Sequence, residues 1–354
     1  MVQLLVSILI GVVHIQPLMA AKHAYLDRKY NQVTQIKIHN ATSTTQKKLY
    51  WFIPNLVANQ NNTLDQQLAD GMRAFKVPVH PVAQGAVVVP WATHTLQDRE
   101  ISQYVTEGVA ALPLFIRPLF AGSFKNYVNT TLLHNLWKID LTNQPFQEVL
   151  VTLKSFLDAH PNEIITLFLN IFDLPKMSQE FLNVFTATGI DTYLHPQAIT
   201  QEWPTIRELI ARNKRLILFA DERIPLPGFN YSSDFLYSND YMFKTLDQLN
   251  ADTGAGVFRD STWQRKIKYI QNPLDLSNPD NTLFDITHIV TPGIAGNAKM
   301  AFAANAYDSV MAHIQRSSAT LLVTGKTIVP NFIGVDFYDQ NMQDLKRVVA
   351  QLNG

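Results

Sequence analysis

The feature of this chain that most constrains its fold is an amphipathic segment followed at once by an almost continuous apolar run. Residues 145–159 repeat apolar side chains at the spacing of one helical face. Residues 164–172 are nearly all apolar, which is typical of a parallel strand buried on both faces. A helix that leads into a buried parallel strand is the repeating unit of an α/β fold.

The same alternation returns along the chain. Strand patterns cover residues 34–40, 73–80, 87–89, 216–220 and 332–337, and helix patterns cover 63–70, 203–210, 299–316 and 342–352. Pro78 lacks a backbone donor and predicts a bulge or a lost pairing in the second strand. Residues 95–140 follow no clear pattern, and 225–285 are typical of loops with short elements. The alternation predicts one TIM-type (β/α) barrel over residues 22–354.

Composition agrees with a large globular domain and narrows its chemistry. The 354 residues are 47% hydrophobic, which is enough for a sizeable core. Lys and Arg number 29, as do Asp and Glu, so we expect no nucleic-acid partner, and we expect a monomer. The chain has no cysteine, which excludes disulfides, thiolate metal ligands and a cysteine nucleophile.

The first residues resemble a targeting segment. Residues 4–15 are mostly apolar and small residues follow at Ala20 and Ala21, so we expect a signal peptide over residues 1–21 and a secreted or exported protein. No Lys or Arg precedes the apolar run, which leaves an uncleaved anchor as the alternative, although Gln16 and Pro17 suit a spanning helix poorly.

Polar side chains collect where the predicted strands end. In a βα barrel these ends meet at one face and form the active site, so residues far apart in sequence converge there. Two imidazoles at this face suit a reaction in which one proton is removed and another delivered. The residues at these ends are His39, Asn40, Lys76, His80, His94, Asn170, Asp221, Glu222 and Asp336.

Several of these blocks resemble one known family. His39-Asn40 after a strand, residues 67–74, His94, residues 156–167, residues 203–205 and residues 330–332 are similar to the X domain of phosphatidylinositol-specific phospholipase C and to its phospholipase C-like phosphodiesterase relatives. The resemblance runs in blocks from residue 34 to 352 and is weak over 95–140 and 225–325. The fold of that family is a distorted βα barrel.

The resemblance implies cleavage of a phosphodiester by two histidines. His39 matches the base that deprotonates the hydroxyl next to the phosphate, and His94 matches the acid that protonates the leaving oxygen, with His134 as the alternative acid. Asn40 matches a position that helps to bind phosphate or metal, and Asp336 corresponds to an acidic group that orients the first histidine.

The metal-ligand positions of the family are substituted in this chain. Lys76, Pro78 and Asn170 stand where metal-dependent relatives carry carboxylates, so calcium is disfavoured and no cofactor is expected. Metal-independent relatives use an arginine on the second strand, and Lys76 lies two positions before its place. We therefore expect Lys76 and Asn170 to help Asn40 bind phosphate. Loop carboxylates, including Asp221, are the alternative source of a cation site.

Three functions follow from this interpretation. The first is a calcium-independent phosphodiesterase that acts on a phosphoinositide, a glycosylated inositol lipid or another phosphodiester at a peripheral membrane surface. The second is a catalytically impaired barrel that binds a phosphorylated head group or a protein partner. A metal-dependent glycerophosphodiester hydrolase is the third, and it is disfavoured because paired acidic ligands are absent from the second strand.

Overall fold

The computed structural model describes residues 24–46, 58–84, 87–92, 144–239, 243–252, 281–292, 296–321 and 329–354. For residues 82–84, 87–91 and 318–321 it describes the backbone alone. The predicted signal peptide and the segment 95–140 lie outside these ranges. Within them, no helix combines the length and the apolar character needed to cross a membrane.

One curled sheet organises the described part of the chain. Eight of its strands run parallel in the order β7-β6-β5-β2-β1-β10-β9-β8, and β3 and β4 add an antiparallel extension to β2. The strands are β1 Gln35–Ile38, β2 Ala74–Gln84, β3 Val87–Ala92, β4 Gln144–Pro145, β5 Ile165–Ile171, β6 Leu216–Ala220, β7 Phe229–Tyr231, β8 Leu236–Ser238, β9 Leu283–Thr287 and β10 Phe332–Val335.

The two ends of this strand order are neighbours in sequence. A single helical turn, Ser232–Phe235, joins β7 to β8 and contacts both strands. Because four residues span only a short distance, the two ends of the sheet must lie close together. The parallel strands therefore curl into a distorted βα barrel, as the sequence predicts.

Helices cover the outside of the sheet. They are α1 Leu64–Ala69, α2 Phe146–Ala159, α3 Ser178–Thr188, α4 Ile206–Ala211, α5 Ser232–Phe235, α6 Leu246–Ala251, α7 Ala298–Ala304, α8 Tyr307–Leu321 and α9 Met342–Asn353. Thr63 caps α1 by accepting a bond from the Gln66 amide, and Gly71 follows with a left-handed φ of 92°.

The interior of the barrel is apolar near the amino-terminal ends of the strands. Tyr30, Phe168, Trp203, Phe219 and Phe332 pack together there, with ring centroids of Tyr30 and Trp203 4.9 Å apart. The Trp203 indole donates to the Asn281 carbonyl over 2.8 Å. These rings form the floor of the barrel, and the polar side chains of the candidate site lie on the side of it nearer the carboxyl ends of the strands.

Pro78 does not interrupt its strand, contrary to the prediction. β2 pairs with β5 continuously from Ala74 to Val79. Carbonyls of odd-numbered residues carry the ladder to β5, since Arg73 and Val79 accept from Thr166 and Phe172. The Lys76 carbonyl points the other way and accepts from Ala41. The nitrogen of Pro78 therefore faces away from β5, where its missing hydrogen costs no bond in that ladder.

Other boundaries also differ from the predictions. The segment 225–285 holds three short barrel strands, and 299–316 is divided into α7 and α8. Helix α4 begins at Ile206 because Thr205 is its N-cap, so Pro204 precedes the helix. The third predicted strand is real but antiparallel to β2, and it therefore does not belong to the parallel barrel.

Candidate active site

The register of the sheet brings the ends of β1 and β10 together. Ile38 pairs with Val335 in parallel, so the residues that follow them, His39 and Asp336, emerge side by side. The His39 Nδ1 lies 2.8 Å from the Asp336 Oδ1, and both side chains are less than a tenth exposed. The sequence assigned these two residues to one site, and the structure joins them.

The chemistry of the pair fixes the form of the imidazole. An ionised carboxylate only accepts hydrogen bonds, so Nδ1–H donates to Asp336 and the lone pair of the neutral ring stays on Nε2. Burial lowers the pKa of His39, and the nearby Asp336 carboxylate offsets part of that effect. A histidine with this pKa shift is neutral at neutral pH and is able to accept a proton.

Lys76 places a buried amine in the same interior. It lies on β2, is 3% exposed, and pairs in register with Phe168 of β5. Burial and the neighbouring Lys37 charge lower the pKa of Lys76 to about 7, although the carboxylates of Asp285, Asp221 and Asp336 act in the opposite direction. Lys76 is therefore partly protonated near neutral pH.

Asp221 follows β6 and accepts a hydrogen bond of 2.8 Å from the Ile171 amide. Burial raises the pKa of Asp221 to about 7, while that amide and the Lys76 charge favour the ionised form. A carboxyl after β6 and an amine on β2, both with shifted pKa values, thus interact across the intervening strand β5. Such perturbed groups are common at functional sites.

A second buried charge pair lies nearer the floor. Lys37 of β1 forms an ion pair with Asp285 of β9, and its amine lies 5.0 Å from the centroid of the Phe168 ring. Gly334 of β10 separates the two strands, and a Cβ there would come within 3.2 Å of the Lys37 Cε. Because Gly334 has no side chain, there is room for Lys37 to reach Asp285.

The remaining predicted residues differ in what the structure describes. Asn40 has a left-handed φ of 45°, and its amide donates to the Asn59 Oδ1 over 3.0 Å. Asn170 is 9% exposed and pairs in register with Pro78. His94 and its alternative His134 lie outside the described residues. His80 stacks on Phe172 with ring centroids 4.0 Å apart.

The described donors do not fit a calcium site. Calcium prefers several carboxylate and carbonyl oxygens around one point. Two interior carboxylates instead accept hydrogen bonds from nitrogen groups. Asp336 accepts from His39 and Asn59, and Asp285 accepts from Lys37. Across the ranges that the structure describes, no three His, Asp or Glu side chains are grouped so as to hold a metal ion.

Sequence reasoning missed three residues of this interior: Lys37, Asp285 and Asn59. A signal existed for Lys37, because alternation along β1 puts it on the same face as His39. Asp285 belongs to a strand that the sequence did not predict. Asn59 lies in a loop and carries no pattern that indicates a role.

The fold and the site together define a βα-barrel protein with a buried pair of imidazole and carboxylate at the carboxyl ends of its strands. The structure is similar to a phosphatidylinositol-specific phospholipase C from Listeria monocytogenes, with a TM-score of 0.54, 15% identity, and coverage of 93% of this chain and 95% of that one. It is also similar to a Staphylococcus aureus phosphatidylinositol-specific phospholipase C, with a TM-score of 0.50, 12% identity, and coverage of 92% of this chain and 93% of that one. These likenesses establish the fold.

The model of the PI-PLC X 1 family matches residues 109–353, and the chain belongs to this family. The match includes Asn170 and Asp336, whereas His39, Asn40 and Lys76 precede it. A PI-PLC X domain-containing protein 1 from Arthroderma benhamiae is 27% identical over 229 residues, which are 63% of this chain and 58% of the relative. One from Arabidopsis thaliana is 21% identical over 314 residues, 87% of this chain and 58% of the relative. The chain thus spans little more than half the length of these relatives.

Proposed function

We propose that this chain cleaves the phosphodiester bond of an inositol phospholipid or a related phosphodiester, without calcium, by general acid and base catalysis. The observation that carries the proposal is the buried pair of His39 and Asp336 at the carboxyl end of the barrel. The family and the fold are those of phospholipase C-like phosphodiesterases, which supports this class of reaction.

In this mechanism His39 begins the reaction. Its Nε2 takes the proton from a substrate hydroxyl next to the phosphate, and the resulting oxygen attacks phosphorus. Asp336 holds the ring in the required tautomer and stabilises the imidazolium that forms. The bond from phosphorus to the lipid oxygen breaks, and the products are a cyclic phosphodiester and an alcohol.

Lys76 supplies the positive charge that the mechanism needs at phosphorus. A protonated amine in a water-poor interior stabilises negative charge on a phosphoryl oxygen more than it would in water. In this proposal Asn40 and Asn170, at the ends of β1 and β5, add neutral hydrogen bonds. His94 delivers the proton to the leaving oxygen, with His134 as the alternative.

Release of water-soluble inositol phosphate from phosphatidylinositol vesicles tests the proposal. The unaltered protein, His39→Ala and His160→Ala are compared with and without a chelator. His160 is an exposed histidine at the end of α2, so its variant is the matched control. We expect release that resists the chelator, survives His160→Ala and is lost in His39→Ala.

Other results point elsewhere. Release that the chelator abolishes contradicts calcium independence. No release by the folded protein from vesicles or from a panel of phosphodiesters favours the impaired barrel that binds a phosphorylated head group, for which Lys76 in place of a carboxylate is the supporting observation. Sedimentation of the protein with phosphatidylinositol vesicles then measures that binding.

We further propose that the protein is exported and is a monomer. Its partner in this proposal is a lipid surface and not a nucleic acid. Its basis is the apolar segment at residues 4–15 and the zero net charge. N-terminal sequencing of the secreted protein is expected to begin near residue 22, and sedimentation velocity is expected to give a mass near that of one chain. A retained residue 1 contradicts cleavage.

A further inference from the structure

Asn59 touches one polar group that follows β1 and one that follows β10. It is 3% exposed, and its Nδ2 lies 3.2 Å and 3.1 Å from the two carboxylate oxygens of Asp336. Its Oδ1 lies 3.0 Å from the Nδ2 of Asn40. One amide therefore connects the partner of His39 to the residue that follows His39.

The chemistry of these contacts allows one orientation of each amide. The Asp336 carboxylate only accepts, so Asn59 must present its NH₂ group to it. The Oδ1 of Asn59 is then left to face Asn40, which must donate. The bonds form a directed series in which Asn40 donates to Asn59, and Asn59 and His39 both donate to Asp336.

The backbone of Asn59 holds the turns after β1 and β10 in place. Its amide donates to the Ser43 carbonyl over 2.9 Å, and its carbonyl accepts from the Phe337 amide over 2.7 Å. Asn40 and Phe337 both adopt left-handed φ values, 45° and 43°. Non-glycine residues keep such conformations only where their surroundings enforce them, and Asn59 bonds to both residues.

A glycine closes over the contact between Asn59 and Asp336. A Cβ at Gly296 would lie 2.6 Å from the Asp336 Oδ2 and 3.2 Å from the Asn59 Nδ2. The first distance is shorter than real Cβ contacts, so any larger residue at position 296 would displace the carboxylate. The packing thus leaves this pair little freedom to take another arrangement.

We infer that Asn59 is a positioning residue, which fixes the Asp336 carboxylate against His39 and orients the amide of Asn40 for phosphate. The inference rests on the proposed phosphodiester cleavage. Asn59 acts through Asp336 and Asn40, so its removal is expected to alter the ionisation of His39 and to lower kcat while KM changes little.

The test compares Asn59→Ala and Asn59→Asp with the matched control Asn61→Ala. Asn61 comes from the same segment and also donates to a carboxylate, that of Asp339 over 2.8 Å, whereas Asn59 donates to Asp336. The readouts are the ¹⁵N resonances of histidine-labelled protein across pH, with His39 assigned from a His39→Gln spectrum, and the pH profile of kcat/KM.

In Asn59→Ala we expect a smaller population of the Nδ1–H tautomer of His39 and a kcat lower by about 10- to 100-fold, as for other residues that orient a functional group. In Asn59→Asp a second carboxylate beside Asp336 favours the imidazolium and raises the pKa of His39. The acidic limb of kcat/KM then moves to higher pH by about one unit. Asn61→Ala is expected to match the unaltered protein in both readouts.

The resonances separate this inference from the proposed function, because they need no substrate. A protein without activity whose His39 resonances change in both Asn59 variants supports the positioning role alone. Folded Asn59 variants with unchanged His39 resonances overturn the role, even if their stability falls. Should neither variant fold, hydrogen exchange of the Asn59 side-chain amide in the unaltered protein decides: protection supports the bond to Asp336, and exchange as fast as that of exposed asparagines overturns it.

Discussion

Lys76 has opposite expected effects on activity and on stability. Its amine is buried and its pKa is lowered to about 7, so folding holds a cation where water would solvate it better. Lys76→Met removes that cost and is expected to raise the free energy of unfolding at pH 7 by up to about 4 kcal/mol, since each unit of pKa shift corresponds to about 1.4 kcal/mol. It also removes the charge proposed to stabilise phosphorus, so kcat should fall by about 100- to 1,000-fold. Urea denaturation and vesicle assays measure the two effects.

The control is Lys346→Met, because Lys346 is an exposed lysine on α9. It should leave both quantities near those of the unaltered protein. A Lys76→Met protein that is more stable and equally active contradicts the role of Lys76 as the phosphoryl cation.

Residues next to strand ends were the ones the sequence predicted best. His39 and Asp336 are 297 positions apart, yet parallel topology sends both to one face of the barrel. Asn59 comes to the same point through a loop, and neither periodicity nor motif indicates where a loop side chain lies. The hydrogen bonds of Asn59 to Asn40 and Asp336 therefore could not be predicted from the sequence.

At the scale of elements, the ion pair of Lys37 and Asp285 links β1 to β9 across β10. Both side chains are almost fully buried, and the Asp285 Oδ1 has no hydrogen-bond partner among the residues that the structure describes. Lys37→Met removes the direct partner of this carboxylate, and the Lys76 amine, which also interacts with Asp285, compensates only part of the charge. We therefore expect the free energy of unfolding to fall by about 3–5 kcal/mol. Chemical denaturation at pH 7 measures the loss.

A double variant separates charge from volume. Lys37→Met combined with Asp285→Leu removes both charges, and it should be more stable than Lys37→Met alone because an apolar pair replaces the partly compensated carboxylate. Equal stability of the single and double variants means that lost packing, rather than the buried charge, causes the destabilisation.

The carboxylate of Asp221, which follows β6, should affect the pKa of the Lys76 amine on β2. The Asp221 carboxylate raises the pKa of Lys76 against the larger effect of burial. Asp221→Asn removes that support, so Lys76 loses its proton at lower pH and the alkaline limb of kcat/KM should move to lower pH. The matched control is Asp247→Asn, at an exposed residue of α6. An alkaline limb at the same pH in Asp221→Asn argues against Lys76 as the group that titrates there.

Elements were predictable where their pattern was long. α2 and β5 carry enough apolar repeats to identify them from sequence. β7 and β8 have three residues each, too few for a pattern to emerge from a polar segment. The break between α7 and α8 at Asn305 depends on tertiary contacts, since its amide binds the carbonyls of Asp336 and Phe337.

At the scale of the molecule, a buried histidine ties the outer helices to the barrel. His288 follows β9, and its amide donates to the Gly334 carbonyl. Its Nε2–H donates to the Ala304 carbonyl at the end of α7 over 2.8 Å, and its Nδ1 lies 2.7 Å from the Nδ1 of His313 on α8. The Nε2 of His313 in turn lies 2.7 Å from an Asp252 carboxylate oxygen, just after α6.

This network makes the stability of the whole fold depend on pH. Burial, and then the His313 charge, lower the pKa of His288 to about 3, whereas an unfolded histidine titrates near 6.5. The neutral ring therefore contributes fully above about pH 6.5. As the pH falls below that value the unfolded chain binds a proton that the native state does not, and stability decreases by about 1.4 kcal/mol per pH unit until about pH 3.

The difference between two proteins isolates this contribution from that of the carboxylates. Between pH 7.5 and pH 5.0 the unaltered protein should lose about 2 kcal/mol more unfolding free energy than His288→Asn, which lacks the titrating ring. His160→Asn, at an exposed position, should lose as much as the unaltered protein. Because the His288 network links α6, α7 and α8 to the end of β9, protonation there should loosen these helices. Hydrogen exchange at pH 5 should therefore show faster opening of these helices than of α2, and uniform opening would place the acid-sensitive group elsewhere.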